Sequence, residues 1–189
     1  MTTQNLVSDE HDRRVKPEFV DEQMGLPVVL LESVYEAQSG EVSGIIVPDL
    51  PGLEAAMAMA RIMDDFKLNG REIRFLRRAL GLKANELASF LDVAAETLSR
   101  WENEKEPIST NPERVLRMRV FNALRGRAPG VKADLSTILG MKFRTVRLAG
   151  DATMAFKRLL AIKDDGSPEH IWFHEGLRTS AQPIQRLRA

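Results

Sequence analysis

Residues 70–108 read GREIRFLRRALGLKANELASFLDVAAETLSRWENEKEPI and form the most informative segment of the sequence. Apolar residues recur at helical spacing over 70–80, and Gly81 follows as a stop signal, so the pattern predicts a first helix there. A second short helix is predicted over 83–91. A third is predicted over 95–103, after a break of about three residues.

Two helices of about nine residues joined by about three residues have the geometry of a helix-turn-helix. Ala88 is small enough for the two helices to approach closely, and Val93 and Leu98 would fill the wedge between them. The third helix then presents four residues outward: Ala95, Glu96, Ser99 and Arg100. A helix of this size fits the DNA major groove with its N-terminal half against the base edges.

The blocks LRRALGL, ELASFLDV and LSRWENEK together closely resemble the XRE (Cro/CI-type) helix-turn-helix family of bacterial and phage DNA-binding proteins, over residues 70–125. The resemblance implies an all-α bundle of four or five helices that binds operator DNA, usually as a dimer. It also implies a buried ion pair between Arg77 and Glu102. The residues assigned to DNA binding are Lys83, Asn85, Ala95, Glu96, Thr97, Ser99, Arg100, Asn103 and Lys105.

The sequence departs from the family pattern at three places. Lys83-Ala84 stands where the second helix usually opens with Thr-Gln, Asp92 replaces the turn glycine, and Ala94 replaces the serine that caps the third helix. Lys83 can supply a phosphate contact by its charge, and aspartate accepts a left-handed turn better than most residues. We therefore still expect DNA binding.

Upstream, residues 27–37 (PVVLLESVYEA) and 45–47 (IIV) are rich in β-branched residues and predict a hairpin. Pro51-Gly52 then breaks the chain before LEAAMAMARIMDDF, a predicted helix whose Met/Ala face should pack on the hairpin. Residues 25–65 resemble the end of the zinc-binding module of MqsA-type antitoxins and its connecting helix. Relatives there read CxxCGE, whereas residues 36–41 read EAQSGE, so both cysteine positions are lost and we predict no metal.

Downstream, another helix is predicted from Asn111-Pro112 onward, and a short one over 133–139. The core-facing residues of the first are predicted to be Val115, Met118 and Leu124. Two strands are predicted about the turn at 164–167, although residues 154–162 (MAFKRLLAI) alone are equally compatible with a helix.

The 27 basic and 27 acidic residues of this 189-residue chain are unevenly distributed. Residues 1–66 carry four basic and 13 acidic side chains, residues 67–127 carry 13 and eight, and residues 128–189 carry 10 and six. This segregation suggests a polyanion partner for the basic part and a basic partner, protein or intramolecular, for the acidic part.

These patterns predict a mainly α fold with a small N-terminal hairpin-plus-helix module and a C-terminal β-hairpin. The predicted divisions are a flexible arm (1–25), an acidic hairpin-plus-helix module (26–66), the helix-turn-helix domain (67–127), and a C-terminal helix and β-hairpin extension with a basic tail (128–189). Dimer contacts are predicted among apolar residues that one small bundle cannot bury: Val120, Phe121, Leu124, Phe156, Leu160, Trp172 and Phe173.

A search of the sequence for common catalytic motifs finds none of those tested. The chain has no Walker loop, no G-x-G-x-x-G and no G-x-S-x-G, and without cysteine it can form no disulfide, thiolate zinc site or iron–sulfur cluster. His170 and His174 would stand about 13 Å apart along a strand, too far to chelate one metal ion. We therefore predict neither catalytic residues nor a cofactor, and no enzymatic activity.

No apolar run approaches the roughly 18–20 residues that a bilayer span needs, so we expect no membrane partner and a cytoplasmic location. The predicted function is a transcriptional repressor or autorepressor, a homodimer that binds a palindromic operator in double-stranded DNA through the recognition helix at 95–103. The alternative is an antitoxin or adaptor, whose acidic N-terminal module binds a basic toxin protein while the helix-turn-helix holds the operator.

Overall fold

The computed structural model describes residues 14–22, 25–39, 42–145 and 153–178. The strands in these ranges are β1 (Arg14–Asp21), β2 (Val28–Ser39), β3 (Val42–Ile46), β4 (Thr153–Ile162) and β5 (Pro168–Arg178). The helices are α1 (Leu50–Met63), α2 (Gly70–Ala79), α3 (Ala84–Phe90), α4 (Ala95–Glu102), α5 (Thr110–Leu124) and α6 (Leu135–Gly140). A 3₁₀ turn, Arg125–Arg127, follows α5.

All five strands belong to one mixed sheet. β2 is antiparallel to β1 and β3 and parallel to β4, and β4 is antiparallel to β5. Both predicted hairpins are confirmed, but the pairing of residues 28–31 with 154–157 joins them. The prediction of a mainly α fold with separate hairpins is therefore wrong, and the chain is mixed α/β. Hydrophobic periodicity identifies a strand but not its distant partner, which is why the sequence missed this sheet.

A bulge in β2 lets that strand change partners along its length. Glu32 has a left-handed backbone with φ of 48°, and the β1–β2 register shifts there. The Ser33 hydroxyl accepts a hydrogen bond from the Arg158 backbone N–H at 2.7 Å, where the β2–β4 ladder ends. Beyond the bulge β2 pairs with β3 instead.

The core lies on both sides of α1. One face of the sheet, including Val28, Leu30 and Phe156, is buried, and α1 is buried from Leu53 to Ile62 apart from half-buried Glu54. α1 contacts β5 as well as α2, α5 and α6. A helix that is apolar all round is buried all round, so α1 connects the sheet to the helical part of the molecule.

Several local predictions are corrected by the structure. Residues 14–21, assigned to a flexible arm, form the edge strand β1, whereas residues 1–13 and the predicted basic tail at 179–189 lie outside the described residues. Residues 154–162 are a strand, which settles the open alternative. Val115 is 40% exposed, because the buried face of α5 runs through Leu116 and Val120 instead.

Most of the predicted dimer surface is also corrected. The residues that one chain buries in its own core are Val120, Phe121, Leu124, Phe156 and Trp172. Leu160 is 52% exposed and Phe173 is half-buried. The prediction treated the helical bundle and the C-terminal hairpin as separate bodies, whereas α1 and the sheet supply the missing partners for these side chains.

No helix within the described ranges combines the length and the apolar character that crossing a membrane would require.

Candidate nucleic-acid interface

α3, a four-residue turn and α4 form the predicted helix-turn-helix. Leu87 and Ala88 of α3 are buried, and the Val93 backbone N–H donates to the Ala88 carbonyl at 3.0 Å, which closes the turn. Asp92 adopts the left-handed conformation, with φ of 54°, at the turn position where the XRE-type pattern that the sequence resembles has glycine. The turn geometry therefore survives the substitution, since aspartate tolerates this region better than most residues.

α2 supports α4 through the predicted ion pair, which is confirmed. Arg77 Nε donates to Glu102 Oε1 at 2.6 Å and its Nη2 donates to Oε2 at 3.1 Å, while Nη1 donates to the Leu82 carbonyl at 3.1 Å. The hydrogen bond that Arg77 donates to the Glu102 carboxylate raises the pKa of the Arg77 guanidinium, an effect that burial partly offsets. A bidentate pair of this kind sets both the distance and the rotation between two helices.

The two faces of α4 differ as the sequence predicts. Leu98 and Trp101 are 1% and 4% exposed, so they hold the helix against the core. The predicted DNA-facing residues that are exposed to solvent are Lys83, Asn85, Ala95, Glu96, Ser99, Arg100, Asn103 and Lys105. Thr97 is half-buried, so it is less available to a partner than its neighbours on α4.

Asn103, just beyond α4, is held by its surroundings. Its Nδ2 donates to the Ser99 carbonyl at 2.8 Å, and its Oδ1 accepts from Arg74 Nη2 at 3.3 Å. The same Arg74 nitrogen donates to the Glu102 carbonyl at 2.9 Å. The loop that leads to Lys105 is therefore positioned by the Arg74 side chain of α2 and by backbone carbonyls of α4.

The start of α3 is capped without the usual hydroxyl. The Glu86 carboxylate accepts from the Lys83 backbone N–H at 2.6 Å, and Asn85 Oδ1 accepts from the Glu86 N–H at 3.0 Å. The Lys83 ammonium is thus left exposed at the N-terminal end of α3, where a phosphate contact is predicted.

Residues 83–106, which include α3 and α4, have a charge less favourable to DNA than that of residues 67–127 as a whole. Residues 83–106 carry three basic and six acidic side chains. Glu102 is paired with Arg77, and Glu86 caps α3, but the remaining four acids are not offset locally. Further exposed arginines, Arg71 and Arg78, lie on α2. If this surface binds DNA, binding would therefore depend on where individual charges lie rather than on a uniformly basic patch.

A buried charge cluster holds the connection between α1 and α2, and sequence reasoning missed it. Arg61 of α1 forms a bidentate pair with Glu72 of α2, at 2.7 and 2.8 Å. Arg117 of α5 pairs with Glu113 at 2.8 Å and donates to the Phe66 carbonyl at 2.7 Å. Because all four ionic side chains are at most 4% exposed, this cluster, defined here as the Arg61/Arg117 cluster, is part of the core.

The surroundings of Arg117 within the Arg61/Arg117 cluster change the pKa of its guanidinium. Burial and the neighbouring Arg61 charge lower the pKa of Arg117, while the hydrogen bond and charge of Glu113 oppose the shift. Its sequence signal is one arginine within the apolar run MAMARIM and a Glu-x-x-x-Arg pair on the buried side of α5. Until the buried faces of α1 and α5 are known, the sequence does not distinguish these charged residues from ones on the protein surface.

An open cavity of about 730 Å³ lies between the end of α1, α6 and the β4–β5 hairpin. Its lining includes Met63, Met141, Met154 and His174. Burial lowers the pKa of His174, whose ring lies 5.2 Å from that of Phe156. Within the described ranges no group of three or more His, Cys, Asp or Glu side chains could hold a metal ion.

Comparison with known proteins returns no match: no family model, no curated protein and no solved structure is similar to this chain.

Proposed function

We propose that this protein is a sequence-specific DNA-binding transcriptional regulator that reads the major groove with α4. The observation that carries the proposal is the α3–turn–α4 unit, in which Leu98 and Trp101 hold the helix while Glu96 and Arg100 stand exposed on its opposite face. An α-helix with polar side chains on a free face matches the width of the groove. The resemblance of the same residues to XRE-type proteins supports it.

The acidic segment at residues 1–66 can be explained without a toxin as a second partner. Glu36 pairs with Lys16 at 3.2 Å, and Glu32 pairs with Lys157 of β4 at 2.7 Å. Basic residues of the same chain therefore neutralise part of this acidic segment, as one of the sequence alternatives allows. We accordingly favour the regulator over the antitoxin or adaptor.

Useful specificity requires two copies of α4. One recognition helix reads only a few base pairs, and a homodimer places two helices about 34 Å apart on a palindrome. We expect a dimer in sedimentation experiments at micromolar protein. A monomer at that concentration, both free and on DNA, would contradict this part of the proposal.

The central experiment is an electrophoretic-shift titration with the upstream region of the protein's own gene. Arg100→Ala should weaken binding to the cognate site by about 1–3 kcal/mol and relax a guanine preference in each half-site. Arg127→Ala is the matched control, because Arg127 is exposed and lies in the 3₁₀ turn after α5, outside the α3–turn–α4 unit. An equal loss on cognate and random duplexes would show that Arg100 contacts phosphate only.

The salt dependence tests the phosphate contacts separately. If each subunit of a dimer neutralises about four phosphates, the slope of log affinity against log salt is about −7. A binding constant that stays flat from low to moderate salt would reject DNA binding by this surface.

A further inference from the structure

The exposed face of α4 carries groups that differ in what they can recognise. Ala95 offers a methyl group, the Glu96 carboxylate accepts hydrogen bonds, and the Arg100 guanidinium donates them. Glu96 and Arg100 form no ion pair with any described residue. Both side chains are therefore available to a partner.

The four bases present different groups in the major groove. Cytosine offers an amino donor, guanine offers two acceptors, adenine offers one of each, and thymine offers an acceptor and a methyl group. An ionised carboxylate can accept from the cytosine amino group but is repelled by the guanine acceptors. A guanidinium shows the reverse preference, with a bidentate fit to guanine.

A carboxylate on a DNA-binding face would also weaken non-specific binding, because the DNA phosphates are negatively charged. With Glu96 included, residues 83–106 carry twice as many acidic as basic side chains, so its carboxylate contributes repulsion where little positive charge is available to offset it. Glu96 is not needed for the ion pair that holds α4, which uses Glu102. A role in selecting a base would explain why Glu96 lies on the exposed face of α4.

We infer that each operator half-site contains a cytosine recognised by Glu96 and a guanine recognised by Arg100. Residues four apart on a helix are separated by about 6 Å along its axis, which corresponds to about two base-pair steps of 3.4 Å. The cytosine and the guanine therefore lie within about two base pairs of each other. This inference rests on the proposed function and names the DNA that the same surface selects.

The test is selection from a random duplex library, with sequencing of the bound fraction for the native 189-residue chain and two variants. In Glu96→Gln the side-chain amide fits adenine, so one position per half-site should change from cytosine to adenine. The relative preference for cytosine there should fall about 5- to 150-fold, the rest of the motif staying the same. Asp92→Asn removes the same charge in the turn before α4 and should leave the motif unchanged.

The outcomes separate this inference from the proposed function. If the native chain selects a motif and Glu96→Gln selects the same one, the assignment of Glu96 is overturned and the regulator proposal stands. A uniform loss of affinity with an unchanged motif also overturns the assignment, because Glu96 would then act through the helix dipole. If the native chain enriches no motif at any salt concentration, the proposed function fails, and the inference fails with it. Equal thermal midpoints of native and variant chains exclude unfolding as the cause.

Discussion

Replacing Arg117 with methionine tests whether the Arg61/Arg117 cluster holds α1, α2 and α5 together. The Arg117 side chain is fully buried and donates to the Glu113 carboxylate and to the carbonyls of Ile62 and Phe66. Methionine preserves much of the volume but none of these hydrogen bonds. The Glu113 carboxylate would then remain buried with the Leu68 backbone N–H, at 3.0 Å, as its remaining hydrogen-bond partner among the described residues.

Removing one member of a buried ion pair costs about 3–5 kcal/mol, because the other charge stays desolvated. A domain of ordinary stability has about 5–15 kcal/mol in total, so Arg117→Met should lower the free energy of unfolding by a large fraction. The double variant Glu113→Gln/Arg117→Met removes the stranded charge and keeps an oxygen for the Leu68 N–H. We expect it to be more stable than Arg117→Met by at least about 1 kcal/mol.

Urea unfolding followed by circular dichroism measures these differences, provided that the slope of each transition is the same. Arg119→Met is the control on the same helix, because Arg119 is exposed and lies over the Phe90 ring, 5.4 Å from its centroid. It should change stability by no more than about 0.5 kcal/mol. If Arg117→Met costs less than about 1 kcal/mol, or if the double variant is less stable than the single one, the Arg61/Arg117 cluster does not hold these helices together.

Three further predictions concern single side chains. Trp101→Ala should cost about 3–5 kcal/mol in urea unfolding, and a fully folded variant that loses only DNA binding would contradict the core position of Trp101. Burial lowers the pKa of His174, against smaller opposite effects of the Gly176 backbone hydrogen bond and of the Glu175 and Asp64 charges. The unfolded chain therefore takes up this proton first, near pH 6.5. The neutral imidazole therefore contributes stability above pH 6.5 that is lost as the pH falls. Between pH 7 and 5, the thermal midpoint of His174→Gln should fall by less than that of the native chain. Equal falls in the two midpoints would exclude this effect. Asp92→Gly should raise stability by about 0.5–1 kcal/mol by relieving the left-handed backbone, whereas Asp92→Val should lower it, and the reverse order of melting temperatures would oppose this.

The helix-turn-helix is predictable from the sequence because its determinants are local. The spacing of Leu87, Ala88 and Leu98, together with the turn before α4, specifies both helices within about 20 residues. The Arg77–Glu102 pair joins residues 25 positions apart, and the sequence anticipated it through resemblance to a known family. The exposed face of α4 follows directly once its buried face is assigned.

The sheet was not predictable in the same way, because its central pairing joins two segments that are far apart in the sequence. Each hairpin has a readable turn, but nothing in residues 28–31 identifies 154–157 as the partner. The Arg61/Arg117 cluster is hidden for a related reason. Charged side chains are usually exposed, so burial of Arg61 becomes apparent only when Glu72 and the carbonyls of the α1–α2 connection surround it.

These two missed features change how the proposed interface would operate. A helix-turn-helix on a flexible linker could adapt to half-sites at variable spacing, since the linker would absorb the difference. Here the connection between α1 and α2 is bound by Arg61 and Arg117, and α1 itself is buried between the sheet and α5. The orientation of α4 relative to the sheet is therefore set by the core. If two copies associate through the sheet, the distance between their recognition helices is set at the same time, and such a dimer would accept one half-site spacing and reject its neighbours.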